Sequence, residues 1–234
     1  MKYSIIIPCY NEEANIIDLI QLLEKSGPEY NIQWIMVENG SKDNTRSVLE
    51  KECKDKGRFT IAYVDVNQGY GYGLQKGIQL ATGDYIGWLH ADMQIAPSEM
   101  IKFIKIAETE SGKKLFLKGK RKNRTVVDYF FTDCMTLYAS AMLGTWIYDI
   151  GAIPVLFNRS LLECMPQIPY DFSIETYVYA MAKRGGGDVR RFNVEQQNRK
   201  KGQSSWNKGF MSKIRQSKVI MKDISRIRKG EQVK

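Results

Sequence analysis

Hydrophobic and polar positions change period in a regular order over the first hundred residues. Ile5-Ile6-Ile7 is an apolar run closed by Pro8, the pattern of a buried strand. From Glu12 to Lys25 the apolar residues fall at Ile16, Leu19, Ile20 and Leu23, a helical period. Ile32 to Val37 reads as a second strand. Asn39-Gly40-Ser41 reads as a turn, with Asp43 placed to cap the helix that follows. Phe59 to Val64 is a third strand, Gly69 to Leu80 a glycine-rich helix entry, Tyr85 to Leu89 a fourth strand, and Pro97 opens another helix. Strands alternating with helices predict an α/β domain with a mostly parallel central sheet and helices on both faces. Beyond residue 100 the pattern loosens. A helical pair is expected over 126–144, a strand over Ile153–Phe157, a helix over Ile174–Lys183, a strand over Asp188–Val194 and a basic tail helix over 207–229. One domain is expected over 1–205, with halves at 1–100 and 101–205, and 206–234 as an appendage.

In open sheets of this kind, ligands sit beyond the carboxyl ends of the strands. Polar clusters fall there four times: Tyr10-Asn11-Glu12, Glu38-Asn39-Gly40-Ser41, Asn67-Gln68-Gly69 and His90-Ala91-Asp92. Residues 90, 92 and 94 alternate, so extended backbone would turn His90, Asp92 and Gln94 the same way. An imidazole, a carboxylate and an amide oxygen make a plausible half-site for a divalent ion, completed by phosphate oxygens and water. His90 is the single histidine of the chain.

Composition narrows the class. With 43% hydrophobic content over 234 residues, the chain suits one full-sized core rather than disorder. The formal charge of +9 is unevenly placed: residues 199–234 hold 12 Lys/Arg against 2 Asp/Glu, and the rest is close to neutral. Such a tail fits an anionic surface. The N-terminus lacks the pattern of a secretory leader. No run of about 20 apolar residues predicts a membrane span. The nearest is Cys134 to Tyr148, uncharged but closed by Asp133 and Asp149. Cys9, Cys53, Cys134 and Cys164 form no C-x-x-C pair and are expected to be free, buried thiols in a cytoplasmic protein.

The motifs, taken in order, resemble those of family 2 glycosyltransferases. Ser4-Ile5-Ile6-Ile7-Pro8-Cys9-Tyr10-Asn11-Glu12-Glu13 looks like the opening motif. Val37-Glu38-Asn39-Gly40-Ser41-Lys42-Asp43-Asn44-Thr45 resembles V-D-D-G-S-x-D-x-T. Asn67-Gln68-Gly69 through Gly77 and Gly83-Asp84 resemble the third. His90-Ala91-Asp92-Met93-Gln94 stands where the polyprenyl-phosphate, dolichol-phosphate mannosyltransferase-like branch has D-A-D-L-Q. The match is strong over about 3–100 and loose to 205.

The resemblance implies a GT-A fold and an inverting, metal-dependent transfer. The first half would hold the nucleotide sugar and the second the acceptor. It implies that Pro8, Tyr10 and Glu12, with Glu38 or Asn39, frame the nucleotide, and that Gly69, Lys76, Ala91 and Asp92 lie along the donor. It implies that His90, Asp92 and Gln94 hold Mn²⁺ or Mg²⁺ on the diphosphate. Histidine in place of the first aspartate suits Mn²⁺ better. Asn39 in place of the second aspartate of V-D-D leaves UDP, GDP and CDP donors all open. In the second half, Lys118-Gly119-Lys120-Arg121, Asp149-Ile150-Gly151-Ala152, Phe172-Ser173-Ile174-Glu175 and Arg199-x-x-Gly202-x-Ser204 resemble later family segments. Arg121, Arg124, Arg199, Lys201 and Ser204 are thereby candidates for phosphate or acceptor. A lipid-phosphate acceptor needs no general base. For a hydroxyl acceptor, Asp149 or Glu175 would serve beside Asp92.

The tail over 207–229 sets Phe210, Met211, Ile214, Met221, Ile224 and Ile227 near helical spacing among lysines and arginines. That pattern predicts a peripheral position on an anionic membrane face, where a lipid-linked acceptor would present its head group. A dinucleotide oxidoreductase is disfavoured, because Leu74 and Lys76 stand where G-x-G-x-x-G needs its last glycine. Nucleic acid is not expected, since the charge is confined to one end and no recognition module is visible.

Overall fold

A computed structural model describes residues 1–110, 112–122, 125–197 and 210–229, with side chains of the last segment from residue 217 onward. The elements run β1 (Lys2–Cys9), α1 (Glu13–Lys25), β2 (Asn31–Asn39), α2 (Thr45–Cys53), β3 (Phe59–Val64), α3 (Tyr70–Leu80), β4 (Tyr85–Trp88) and α4 (Pro97–Thr109). There follow β5 (Leu115–Arg121), α5 (Val126–Leu143), β6 (Val155–Asn158), a 3₁₀ turn (Arg159–Cys164), α6 (Ile174–Arg184), β7 (Asp188–Val194) and α7 (Phe210–Lys229).

The strands form one sheet in the order β3-β2-β1-β4-β6-β5-β7. β1 pairs in parallel with β2 and β4, β2 with β3, and β5 with β7, while β6 runs against both neighbours. Ile5, Ile6 and Ile7 are all fully buried. Successive strand residues point to opposite faces, so β1 is covered on both sides. β1 ends at Cys9 opposite Glu38, and β2 runs one residue further to Asn39. β4 runs from Tyr85 opposite Tyr3 to Trp88 opposite Ile6, and stops one pair short of Ile7. Four parallel strands therefore deliver their following loops to one edge.

The glycines of α3 serve packing. A Cβ on Gly77 would lie 2.3 Å from Ile6 Cγ2, and one on Gly71 would lie 2.3 Å from the Asp171 carbonyl oxygen. The helix can approach β1 and the 170–171 segment this closely only without side chains there.

Three expectations change. Residues 126–144 form one helix, not two. No proline or glycine interrupts Val126–Leu143, and Gly144 ends the helix in the left-handed region at φ 62°. β5 was hidden in the sequence because its apolar run stops after Leu117, and Lys118, charged in sequence, is fully buried in the fold. The four cysteines are free, but Cys134 is exposed on α5.

Candidate active site

A crevice of about 790 Å³ opens at the carboxyl ends of the parallel strands. One wall carries Pro8, Tyr10 and Glu12 after β1, Asn39 at the end of β2, Asn67, Gly69 and Tyr70 before and within α3, and His90, Ala91 and Asp92 after β4. The facing wall carries Asp171 and Phe172 ahead of α6, and Val219, Lys222, Asp223 and Arg226 of α7. Its size falls in the range of small-molecule and cofactor sites.

Side-chain bonds hold the loops. Asn11, itself left-handed at φ 54°, accepts the Lys42 N–H on Oδ1 at 2.8 Å, and Thr45 Oγ1 accepts the Glu12 N–H at 2.8 Å. Asp43 accepts the Thr45 N–H at 3.0 Å in a turn ahead of α2, but it is not the expected cap: Asn44 holds that position, with no side-chain capping bond. Asn39 Nδ2 donates to the Gly69 carbonyl at 3.1 Å, and the Asn39 carbonyl accepts from Asn67 Nδ2 at 2.7 Å. An aspartate could not make the first of these bonds, since an ionised carboxylate has no proton to give. Glu38 is buried and spends Oε1 on the Ser41 N–H at 2.7 Å. It does not line the crevice, so of the pair Glu38 and Asn39 only Asn39 reaches it.

The 90–94 segment is not extended. It turns at Ala91-Asp92, Met93 is left-handed at φ 54°, and Asp92 Oδ1 accepts the Gln94 N–H at 3.1 Å. The reversal destroys the alternation on which a three-residue half-site depended. His90 and Asp92 face the crevice, whereas Gln94 is outside its lining. Among the described residues, no three His, Cys, Asp or Glu side chains come together as a metal-binding group. A divalent ion here would have to take most of its ligands from phosphate and water.

Behind His90 runs a buried chain of hydrogen bonds. Lys118 Nζ, fully buried, lies 3.3 Å from Glu175 Oε2 and donates to the Ala152 carbonyl at 2.6 Å. Trp88 Nε1 and the Tyr70 hydroxyl donate to Glu175 Oε1 at 2.7 and 2.9 Å. The Tyr70 oxygen also lies 3.1 Å from His90 Nε2. Tyr70 has one proton, and the carboxylate takes it, so Nε2 must carry the hydrogen of the second bond. Neutral His90 then keeps its lone pair on Nδ1, the form that can ligate a metal or accept from a ligand. Burial, and then Glu175, push the Tyr70 phenol well above its ordinary range, so it stays protonated. Phe172 stacks on the Tyr70 ring at 5.0 Å.

The two expected base candidates are thus both engaged. Glu175 supports Tyr70 and pairs with Lys118. Asp149 accepts from Arg121 Nε at 3.1 Å and from Arg191 Nη2 at 3.5 Å. Burial alone would raise the Asp149 carboxyl, but Arg121, Arg191 and Lys118 outweigh it and hold the group below its usual range. Neither acid lines the crevice, nor does Arg121, committed to Asp149. Lys76 lies 5.4 Å over the Tyr72 ring, also outside the lining. Arg124, Arg199, Lys201 and Ser204 lie outside the described residues.

The structure adds groups that sequence reasoning passed over as site residues: Tyr70 and Asp171, and three charged residues of α7. Asp223 is buried in the crevice wall. Burial, and then Asp171, raise its carboxyl from its ordinary 3.8 to about 6. The signal for α7 was present as a charged stripe but pointed elsewhere. Ile224 is fully buried, and Ile220 and Ile227 pack against the core. Of the described part of the tail's apolar stripe, Ile224 and Ile227 therefore face the protein, while Met221 is exposed.

Comparison with known proteins follows this geometry. A family model described as "Glycosyl transferase family 2" matches residues 4–144. The undecaprenyl-phosphate 4-deoxy-4-formamido-L-arabinose transferase of Proteus mirabilis (strain HI4320) is 29% identical over 174 residues, covering 71% of this chain and 52% of that one. The protein of that name from Shewanella sediminis (strain HAW-EB3) is 22% identical over 217 residues, covering 90% and 63%. The chain thus spans little more than half the length of these relatives. Among solved structures, the glucosyl-3-phosphoglycerate synthase of Mycobacterium tuberculosis, in complex with Mn²⁺, UDP and glucosyl-3-phosphoglycerate, superposes with a TM-score of 0.71. It is 18% identical, and the match covers 98% of this chain and 80% of that one. That likeness fixes the fold as GT-A.

Proposed function

The chain belongs to glycosyl transferase family 2, and on that premise we propose that it transfers a sugar, with inversion, from a nucleoside diphosphate donor to a lipid phosphate. The observation that carries this reading is the crevice itself. Residues from four strand ends meet a wall that supplies Lys222 and Arg226. In this reading Pro8, Tyr10, Glu12 and Asn39 receive the base and ribose. His90 and Asp92 receive the diphosphate together with Mn²⁺ or Mg²⁺. Lys222 and Arg226 attract the acceptor phosphate. A bound divalent ion would offset the charge left on the diphosphate oxygens. Relatives named for undecaprenyl phosphate support the acceptor class, and a structural neighbour crystallised with Mn²⁺ and UDP supports the donor class.

The chemistry balances without a base. An ionised phosphate oxygen of the acceptor attacks the anomeric carbon from the face opposite the leaving group. The bond from that carbon to the diphosphate breaks, and the nucleoside diphosphate leaves with the electron pair. No proton has to be removed. This suits a site in which Glu175 and Asp149 are both held in ion pairs. A peripheral position at the cytoplasmic face agrees with four free cysteines, and among the described residues no helix is long and apolar enough to cross a membrane.

The test is transfer of labelled sugar from UDP, GDP and CDP donors to polyprenyl phosphate in detergent. One donor should label the lipid, and Asp92→Ala should lower the rate more than tenfold, about 1.4 kcal/mol of barrier. If no donor labels the lipid, the reading fails. One observation favours a second reading, a hydroxyl acceptor. Asp223, with its carboxyl near pH 6, could take the acceptor proton. Transfer to sugars or glycerol phosphates, with a rate limb near that pH lost in Asp223→Asn, would select it.

A further inference from the structure

α5 is a surface helix that is apolar on its outward side as well as its inward one. Such a helix ordinarily turns its polar side to water. Here the buried positions include Thr136, Ala139 and Leu143. The outward row carries Val126 at 84% exposure, Phe130 at 64% and Leu137 at 62%. Positions 126, 130, 134, 137 and 141 follow one helical face, and Cys134 and Ala141 on it are also exposed. Asp133 is the charged residue at its edge. Past the helix, Trp146 is also 58% exposed. An exposed apolar row of this length on a protein surface marks an interaction site.

α7 lies alongside. The Tyr138 hydroxyl of α5 is 3.1 Å from Ser225 Oγ, and Arg228 Nη1 is 3.4 Å from the Met142 sulfur. Arg228 thus reaches α5 directly, and Lys218, Lys222 and Lys229 are exposed cations of the same packed helix. The same helix lines the crevice through Lys222 and Arg226. An apolar strip, a basic flank and the crevice mouth are neighbours on two packed helices.

We propose that the outward face of α5, flanked by the cations of α7, lies on an anionic lipid surface and seats the crevice at head-group depth. This rests on the lipid-phosphate reading for its purpose, and it moves the contact from the tail's own apolar stripe to α5. The charge pattern selects the occupant. Basic residues beside the strip complement phosphate head groups, and the attraction is screened by salt. A second protein copy would bring like charges together.

The full chain should float with vesicles of phosphatidylcholine and phosphatidylglycerol at low salt, and float poorly with phosphatidylcholine alone or in high salt. Phe130→Glu/Leu137→Glu, both exposed, should weaken binding at least tenfold while leaving the circular dichroism unchanged. Lys218→Glu/Lys229→Glu should lose the preference for the anionic lipid. Failure of the wild type to float, or undiminished binding by the Phe130/Leu137 variant, overturns the proposal. So does a concentration-dependent dimer that the same variant abolishes. Transfer to a detergent-dispersed acceptor separates the two readings. A chain that transfers but does not float sinks the membrane face alone, and one that floats but transfers with no donor sinks the catalytic reading alone.

Discussion

His90 carries the account at the scale of single residues. Its protonation follows from proton counting along Lys118, Glu175 and Tyr70, and because it is the only histidine it can be observed without assignment. Nitrogen NMR of labelled protein above the imidazole pKa should show a proton on Nε2. Tyr70→Phe removes the acceptor and should release the ring to a mixture of tautomers. A proton on Nδ1 in the wild type would contradict the arrangement. Lys118 and Glu175 give a stability test of the same chain. Lys118→Met leaves a carboxylate buried without its partner and should cost about 3–5 kcal/mol in denaturant unfolding. Lys118→Met/Glu175→Leu should recover much of that loss while still freeing Tyr70. A Lys118→Met loss below about 1 kcal/mol would mean that water already reaches the pair. Sequence showed these residues but not their bonds. Glu175 reads as a catalytic acid when its partner lies 57 positions away in a strand that a buried lysine disguises. Pro8, Tyr10, Glu12, Asn39 and Asp92 could be placed at the crevice from sequence because each lies at, or within four residues of, the carboxyl end of a strand. Gln94 was misread because nothing in the sequence marks Met93 as left-handed.

Among the elements, the first four strands and their helices follow the apolar period closely, since each is local and buried on a regular face. α5 and α7 were harder, because the side that meets the protein is decided by partners far along the chain. α3 offers the sharpest test of how elements set the crevice. Gly71 touches the 170–171 backbone that carries Asp171 and Phe172 to the facing wall. Tyr72 N–H donates to the Tyr170 carbonyl at 2.7 Å in the same contact. Gly71→Ala should therefore push the walls apart, weakening donor binding at least tenfold with a modest loss of melting temperature. The same substitution at Gly57, with nothing near its Cβ, should leave donor affinity unchanged. Equal affinity in both variants would show that the two walls are not coupled through α3.

Across the whole molecule, a sheet of parallel strands gathers the donor groups at one edge, and a C-terminal helix returns to close the other side. Of the positive charge concentrated beyond residue 198, Lys222 and Arg226 line the crevice. The most direct measurement of the central claim is the melting temperature of the full chain with UDP, GDP or CDP, each with and without Mn²⁺. A ligand held only by the folded state at 100 times its Kd stabilises by about 2.7 kcal/mol. One nucleoside diphosphate should raise the melting temperature by several degrees, more with Mn²⁺ than without, and Asp92→Ala should abolish the increment due to the metal. No shift with any of the three, or a metal-dependent increment that Asp92→Ala leaves intact, would contradict a donor site in this crevice.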